Sequence, residues 1–341
     1  MKKKEHLTTY MDLIVQQLEA EGRIGTAHVY RSTLHRVLDF TGGQPLTFGE
    51  VTPFWLKAFQ NYLLGRQLQW NTISTYMRML RAVYLRAVDS GQASFHPRLF
   101  KGVYTGTRVT VKRALSESDL RKLNEPEPAA RECSLEKTRM LFLLLFMLRG
   151  IPFVDVAYLR KCDLQDNVLM YRRRKTGSWL TVRVEPRAMS LIEQLKTPDE
   201  SSPYLFPFIN GTGADAYRQY QSALRNFNAR LKRLGSLAGV KGSLSSYCAR
   251  HSWATIANYH NYQQELICNA MGHSSVKVTE TYFKQHTDER IGQMNKEILS
   301  QVFRGKIVPI PDCSGNPRQA IAVVWKDFFM DFGGRGGSVT S

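Results

Sequence analysis

The segment Gly272–Phe283, GHSSVKVTETYF, combines residue types that can act on a phosphate group. Gly272 predicts the end of one helix and a following serine predicts the N-cap of the next, so His273 should lie in the break between them. On one continuous helix, at about 100° per residue, His273 and Tyr282 would point to opposite sides. The break lets both side chains approach a common point, and a phosphate is the ligand expected there.

By itself this segment does not establish a reactive site. Tyr282 is one of 15 tyrosines, and a Tyr-Phe pair at the end of a helix more often belongs to a core. An earlier motif, Leu148-Arg149-Gly150, follows an apolar run and is followed by Asp155. It supplies a cation and a carboxylate whose positions relative to Tyr282 depend on the fold.

Two more motifs supply cations and hydrogen-bonding side chains. Lys175 is expected at the tip of a hairpin, because strands are predicted on either side of it, over residues 167–174 and 179–184. Within a helix predicted over residues 243–258, Tyr247, Arg250 and His251 fall at positions i, i+3 and i+4 and therefore share one face.

The elements that must position these residues are mainly helices. In the first hundred residues the stop and capping signals predict four helices, near residues 6–21, 26–40, 53–64 and 72–88. In the second part, helices are expected from the capping signal at Ser116 through Leu148, after Pro152, and near residues 187–196, 214–234, 263–271, 276–283 and 288–303.

The fourth predicted helix has one apolar side and one cationic side. Its apolar stripe comprises Ile73, Met77, Leu80, Tyr84 and Ala87. Off the stripe lie three arginines and, at the N-terminal end, a threonine that can meet phosphates through its hydroxyl and backbone N–H: Arg78, Arg81, Arg86 and Thr72. The alternative is a solvated charged face.

Composition points to a polyanionic partner. The chain has 341 residues, which suits two domains, and carries 47 Lys and Arg against 29 Asp and Glu, a formal charge of +18. The excess occurs in both main segments, and a basic linker over residues 97–114, including Lys101 and Arg108, would let both domains close around a duplex. The alternative is a basic protein that its charge keeps soluble.

Cysteine usage and hydropathy indicate in which compartment the protein is expected. The five cysteines show no C-x-x-C pair, which indicates neither a zinc ribbon nor a disulfide framework and fits a reducing cytosol. The N-terminal sequence does not resemble a signal peptide, and the longest apolar run, residues 140–148, is about half of what a membrane span needs. We expect a cytoplasmic protein that does not contact a membrane.

The four motifs, in their order along the chain, resemble the tyrosine recombinases, also called phage-type integrases, across roughly residues 1–303. Tyr247-Cys248-Ala249-Arg250-His251 matches the H-x-x-R-H motif of that family. The resemblance implies a mainly α protein of the integrase type, with the DNA breaking-rejoining fold. A helical SAM-like core-binding domain (1–96), the linker (97–114) and a mixed α catalytic domain with a small antiparallel sheet (115–303) would precede a partly disordered tail (304–341).

The resemblance also implies roles for the residues, listed in the order of the reaction. Tyr282 would attack a DNA phosphate, which Arg149 and Arg250 bind bidentately and His273 hydrogen-bonds, while Lys175 would protonate the leaving 5′ oxygen. Asp155 and His251 would orient these groups, and Tyr247 would donate a hydrogen bond where the family has histidine. No metal or other cofactor is implied.

The first arginine departs from the pattern of the family. That arginine usually lies three residues before the acidic residue that Asp155 matches, where this chain has Pro152. A similar displaced pattern, Arg-Gly before a small residue and an aromatic one, resembles integrases of conjugative transposons and promoter invertases and supports Arg149. The alternative is that Arg149 caps the C-terminus of its helix.

The expected partners are double-stranded DNA and other copies of the chain. The resemblance implies a homotetramer on two recombination sites, exchange through a Holliday junction, and a role in a mobile element of bacteria, at the nucleoid. It leaves room for an accessory DNA-bending protein. Two alternatives are a type IB topoisomerase, which relaxes supercoils, and a non-catalytic sequence-specific DNA-binding protein with the same fold.

Overall fold

The computed structural model describes residues 6–108, 113–124, 133–273 and 275–282. The helix predicted over residues 288–303 and the C-terminal tail lie outside these residues. The first hundred residues form the four predicted helices: α1 Leu7–Ala20, α2 Ile24–Phe40, α3 Pro53–Gly65 and α4 Trp70–Asp89. Their apolar faces form one buried cluster, which includes Met11, Val37, Phe59 and Leu80.

Local sequence explains how α3 and α4 begin and which side of α4 is buried. Thr52 caps α3 by accepting a hydrogen bond from the backbone N–H of Trp55, with Pro53 in the first turn, as expected. The predicted apolar stripe of α4 is buried from Ile73 to Ala87. Arg78, Arg81 and Arg86 are exposed, so the two-sided character of this helix is confirmed.

Part of the predicted linker packs against the first helical cluster. Leu99 and Val103 are buried in it, and Ser74 Oγ donates a hydrogen bond to the carbonyl oxygen of Gly106. The guanidinium of Arg108 lies 4.4 Å from the centroid of the Trp70 ring. The segment up to residue 108 therefore continues the surface of the helical cluster.

The second cluster contains the remaining helices and the sheet. Its helices are α5 Glu117–Asn124, α6 Cys133–Met147, α7 Phe153–Ala157, α8 Pro186–Leu195, α9 Gly213–Leu237, α10 Ser246–Tyr259, α11 Gln264–Met271 and α12 Val276–Glu280. Ser116 Oγ accepts a hydrogen bond from the backbone N–H of Asp119, which confirms the predicted cap of α5. The end of α12 was predicted wrongly, because the helix ends at Glu280 and leaves Thr281 and Tyr282 in a turn.

A small antiparallel sheet lies against the helices, in the strand order β1 Leu164–Gln165, β2 Val168–Arg172 and β3 Trp179–Arg183. The hairpin between β2 and β3 is the predicted one, whereas the two-residue strand β1 was not predicted. Leu169 and Tyr171 of β2 face the buried cluster of this part of the chain. The fold is therefore mainly α with a small antiparallel sheet, as the sequence predicts.

Among the described residues, none of the helices combines the length and the apolar character that crossing a bilayer requires.

Candidate active site

Tyr282 lies in the turn that follows α12, and only 8% of it is exposed. Its phenolic oxygen is 2.9 Å from the phenolic oxygen of Tyr247, so the two hydroxyl groups share a hydrogen bond. Two imidazole rings flank the Tyr282 ring, that of His273 with centroids 4.8 Å apart and that of His251 with centroids 4.9 Å apart. The tyrosine is thus held among polar side chains at the edge of a small core that includes Ala254 and Met271.

Helix α10 contributes Tyr247, Arg250 and His251 to the surroundings of Tyr282 from one face, as the i, i+3 and i+4 spacing predicts. Arg250 is its buried member, with 2% of its surface exposed. The Arg250 guanidinium donates to the carbonyl oxygens of Gly150 (2.9 Å) and Met271 (2.7 Å), and its carbon Cζ lies 5.4 Å from the centroid of the Tyr282 ring. These bonds tie α10 to the ends of α6 and α11 around the tyrosine.

The close approach of α10 to the end of α6 requires glycine at position 150. Gly150 has a φ of +67°, and a Cβ built there would lie 2.6 Å from the Cα of Arg250. A side chain would therefore clash with backbone atoms, which cannot move away as the end of a flexible side chain can.

The break that the sequence predicts between α11 and α12 is present. Gly272 ends α11 in the left-handed conformation with a φ of +62°, and Ser275 is the N-cap of α12. Between them, Nε2 of His273 lies 2.7 Å from Nη2 of Arg250 and Nδ1 lies 2.9 Å from Oγ1 of Thr279. Because an arginine can only donate, Nε2 accepts and the proton of the neutral imidazole is on Nδ1.

Charge and burial set the protonation of these groups. Burial, and then the positive charges of Arg250, Arg173 and Lys175, lower the pKa of His273 to about 3, so this imidazole is neutral near pH 7. Partial burial and the hydrogen bond with Tyr282 raise the pKa of Tyr247 to about 12.

For the Tyr282 hydroxyl the effects have opposite signs. Burial raises the pKa of Tyr282, but the hydrogen bond with Tyr247 and the charges of Arg250 and Lys175 outweigh it, so the pKa lies below the ordinary value of about 10. Of the two phenols in contact, Tyr282 is therefore the one that ionises first.

The two other predicted cations, Lys175 and Arg149, lie on different elements. Lys175 lies exposed in the turn between β2 and β3, where the sequence placed it, and its charge reaches both His273 and Tyr282. Arg149 follows α6 with a φ of +60°, which is the left-handed conformation of a residue that ends a helix. Its side chain is half-buried, and Nη1 lies 3.4 Å from the carbonyl oxygen of Thr181 on β3.

A buried arginine that the sequence analysis did not single out lies in the same region. Arg173, with 4% of its surface exposed, donates from Nη1 to the carbonyl oxygens of Met271 (3.1 Å) and Gly272 (2.8 Å). Its Nε lies 3.5 Å from the carboxylate of Asp155, which also accepts a hydrogen bond from the backbone N–H of Arg174 (3.0 Å). Burial raises the pKa of Asp155, and the neighbouring arginines oppose this.

The alternation of residues along β2 could have indicated that Arg173 is buried. Side chains alternate between the two faces of a strand, so residues 169, 171 and 173 share a face. An arginine that follows two apolar residues on an inward face is a candidate for a buried charge with a function.

The residues predicted to bind DNA lie on the first helical cluster, at a distance in sequence from Tyr282. On α4, Arg78 Nε lies 3.4 Å from the carbonyl oxygen of Ser74, and Arg81 and Arg86 are exposed farther along the helix. Thr72 lies in the first turn of α4, and exposed Lys101 and Arg108 extend the basic surface through the segment that packs against it.

Within the residues that the structure describes, no group of three or more His, Cys, Asp and Glu side chains has the arrangement of a metal site.

Family models match both parts of the chain. The model of the phage integrase SAM-like domain matches residues 6–101, and that of the phage integrase family matches residues 113–289. Tyrosine recombinase XerA of Pyrococcus furiosus is 24% identical over 205 residues, covering 58% of this chain and 66% of that protein. XerA of Saccharolobus solfataricus is 22% identical over 262 residues, covering 76% of this chain and 81% of that protein. The match thus spans just under two thirds of the length of the Pyrococcus relative.

Solved structures resemble this one over most of its length. A lambda integrase tetramer bound to a Holliday junction has a TM-score of 0.61 at 14% identity, covering 84% of this chain and 80% of that one. The Tn1549 transposon integrase in complex with transposon right end DNA has a TM-score of 0.59 at 15% identity, covering 86% and 99%. XerH bound to its difH substrate has a TM-score of 0.54 at 16% identity, covering 83% of each chain. At these identities the likeness is one of fold.

Proposed function

Because the chain belongs to the phage integrase family of tyrosine recombinases, we propose that it is a site-specific DNA recombinase that cleaves and rejoins DNA through a 3′-phosphotyrosyl bond. Tyr282 is the nucleophile of this proposal. The observation that carries it is the position of Tyr282, whose hydroxyl contacts Tyr247 and whose ring lies beside the buried Arg250 and stacks on the neutral His273.

The first step requires an ionised phenol and a phosphate whose charge is neutralised. Tyr247 retains its own proton and donates it in a hydrogen bond to the Tyr282 oxygen, which stabilises the phenolate, while the proton of Tyr282 leaves to water. The phenolate oxygen attacks the phosphorus and the bond to the 5′ oxygen breaks. Negative charge that develops on the nonbridging oxygens is stabilised by Arg250 and by a second cation, for which the sequence suggests Arg149.

The leaving 5′ oxygen needs a proton, and in this proposal Lys175 supplies it. The residue is exposed at a hairpin tip, where a mobile ammonium can reach bound DNA. The resulting 5′ hydroxyl attacks the phosphotyrosine of a partner strand, which re-forms a phosphodiester and releases Tyr282. The bond energy is conserved in the covalent intermediate, so the reaction uses no nucleotide cofactor and no metal.

DNA would be held between two basic parts of the chain. The core-binding domain (1–96), with Arg78, Arg81, Arg86 and Thr72 on α4, faces one side of the duplex, and the catalytic domain (115–303) the other. Lys101 and Arg108 belong to the connecting segment (97–114). Contacts of this kind to phosphates give affinity that falls steeply with salt concentration.

Strand exchange between two sites would require four copies of the chain. The lambda integrase neighbour is a tetramer on a Holliday junction, and the Tn1549 and XerH neighbours are also DNA complexes. We extend this arrangement to the present chain as a homotetramer on two sites, acting at the bacterial nucleoid, with an accessory DNA-bending protein as a further partner. The family match does not favour a type IB topoisomerase or a non-catalytic DNA-binding protein.

Trapping of the covalent intermediate tests the proposal. The protein is incubated with nicked suicide duplexes made from DNA that flanks its coding sequence, and the products are separated on a denaturing gel. We expect a protein–DNA adduct that Tyr282→Phe abolishes and that Tyr262→Phe, at an exposed tyrosine, retains. Sequence-specific binding without an adduct would instead support the non-catalytic alternative. An adduct with relaxation of supercoils and no exchange between two sites would support the topoisomerase.

A further inference from the structure

We propose that Arg173, rather than Arg149, is the second arginine that binds the scissile phosphate beside Arg250. The inference deepens the proposed recombinase function and rests on it. It follows from the position of Arg173 directly after β2, from its burial next to Arg250, and from the balance of charge around the two guanidinium groups.

The sheet directs Arg173 inward. Leu169 and Tyr171 of β2 are buried with 0% and 5% of their surfaces exposed, and Arg173 is the next residue on that face. Its backbone N–H donates to the carbonyl oxygen of Ser178 (2.8 Å), so the antiparallel pairing continues one residue beyond the strand. The guanidinium is therefore positioned by the sheet and not by a flexible loop, although Lys175 lies only two residues later.

The guanidinium groups of Arg173 and Arg250 share one hydrogen-bond acceptor. Nη1 of Arg173 and Nη2 of Arg250 both donate to the carbonyl oxygen of Met271, at 3.1 and 2.7 Å. The same Nη2 of Arg250 lies 2.7 Å from His273, whose ring stacks on that of Tyr282. A phosphate bound by both arginines would thus lie near the nucleophile.

The local charge favours an anion at this point. Two buried guanidinium groups face one carboxylate, that of Asp155, which lies 3.5 Å from Nε of Arg173, and among the described residues Nε of Arg250 has no hydrogen-bond partner. Leaving a buried charged donor without a partner is costly, because the lost hydration is not replaced. A dianionic transition state at the phosphate would supply negative charge and hydrogen-bond acceptors beside the two guanidinium groups.

Arg149 is less suited to this role. Its side chain is half-buried and lies toward β3, where Nη1 is 3.4 Å from the carbonyl oxygen of Thr181. The positive φ of Arg149 shows that its backbone ends α6. This backbone role does not depend on what the side chain binds.

A structural alternative for Arg173 must be separated from the catalytic one. By binding the carbonyl oxygens of Met271 and Gly272, Arg173 also caps the C-terminus of α11. Packing there is tight, because a Cβ built on Gly272 would lie 3.0 Å from Cδ of Arg173. Loss of activity on substitution alone would therefore not distinguish the two roles.

Single-turnover cleavage of two substrates distinguishes them. One substrate carries the natural scissile phosphate and the other a methylphosphonate, in which a methyl group replaces a charged oxygen and removes one negative charge from the transition state. A cation that neutralises this charge is then needed less. We expect Arg173→Ala and Arg173→Met to lose at least about 100-fold in cleavage of the natural substrate, as is typical when an oxyanion-stabilising group is removed. Both variants should recover most of the loss on the methylphosphonate, and Arg149→Ala should show a small loss that is equal on the two substrates.

Each remaining outcome has a distinct meaning. An equal loss on both substrates for the Arg173 variants, with DNA binding and thermal melting as controls for folding, would leave only the structural role and overturn the proposal. Recovery by Arg149→Ala instead would return the role to Arg149. Should Arg173→Ala and Arg173→Met fail to fold, Arg173→Lys retains the charge that pairs with Asp155 but loses the bidentate fork, so we expect a smaller loss on the natural substrate and a correspondingly smaller recovery on the methylphosphonate. Absence of a Tyr282-dependent adduct for the wild-type protein would reject the recombinase function itself.

Discussion

The phenolic oxygens of Tyr247 and Tyr282 lie 2.9 Å apart, although the residues belong to different helical segments. The pKa of Tyr247 is raised to about 12 and that of Tyr282 is lowered, so Tyr247 is the donor of this hydrogen bond whenever Tyr282 is ionised. A tyrosine thus stands where the family motif has histidine, and it contacts Tyr282, the proposed nucleophile.

Replacing Tyr247 with Phe should shift the pH dependence of cleavage upward. The aromatic ring remains, but the phenolate of Tyr282 loses a donor, so its pKa rises. One pKa unit corresponds to about 1.4 kcal/mol, and we expect the rate at neutral pH to fall roughly tenfold or more. Single-turnover cleavage measured from pH 6 to 10 checks this, and Tyr262→Phe serves as the control. An unchanged profile in Tyr247→Phe would show that the contact does not affect ionisation of Tyr282.

Replacing Lys175 with Ala should impair departure of the 5′ oxygen. Loss of a general acid typically costs a factor of about 100 to 10,000 in rate. A substrate with sulfur in place of the bridging 5′ oxygen has a leaving group that departs without a proton, so Lys175→Ala should cleave it nearly as fast as the wild-type protein does.

Lys241→Ala, at an exposed lysine in the loop before α10, is the matched control for this experiment. It should cleave both substrates at the wild-type rate. If Lys175→Ala is equally slow with oxygen and with sulfur, Lys175 has a role other than proton donation.

Replacing Gly150 with Ala should destabilise the catalytic part of the chain. The new Cβ would lie 2.6 Å from the Cα of Arg250, at a φ of +67° that an alanine disfavours. Overlap with backbone in a buried site, with strain, should cost about 3 kcal/mol or more. Chemical denaturation checks this against Gly102→Ala, where an added Cβ has open space. Similar unfolding of the two variants would mean that α10 moves away without cost.

Replacing His273 with Gln should weaken the dependence of the free energy of unfolding on pH at acid pH. The pKa of His273 is about 3 in the folded protein, against about 6.5 for an unperturbed histidine. Between these values the unfolded chain binds the proton and the folded chain does not, so the free energy of unfolding falls as the pH falls from about 6.5 toward 3.

Gln accepts a hydrogen bond from Arg250 without titrating, so His273→Gln should lose part of this pH dependence. Denaturation midpoints across this range test it, with His35→Gln, at an exposed position on α2, as the control. Parallel curves for the wild type and both variants would contradict the assignment of the neutral imidazole.

Much of the fold was predictable because its signals are local. Thr52 with Pro53, the stripe on α4 and the glycine break before His273 are each determined by a few neighbouring residues. The strand β1 was missed because two residues are too few to show an alternation of apolar and polar side chains. The last turn of α12 was predicted wrongly because the apolar pattern continues to Tyr282 although the backbone turns after Glu280.

The site was predictable in its residue types and less so in its contacts. Motif spacing indicated Tyr282, Arg250 and His273, whose side chains the fold brings together, but their roles remain predictions. Arg173 was missed because arginines are seldom fully buried, so composition argues against what the alternation of β2 indicates. The contact between Tyr247 and Tyr282 depends on how α10 packs against the end of α12, and this is not a local property.

The alternation along β2 also has a consequence for the evolution of the hairpin. Since Leu169 and Tyr171 must face inward, a change of one residue in the length of this strand would exchange its two faces. Residues 172 to 174 are all arginine, so a slip in either direction would still bring a guanidinium to the inner end of the strand. Three consecutive arginines would therefore keep a guanidinium on the inner face after an insertion or deletion of one residue, and in this structure the arginine on that face is Arg173.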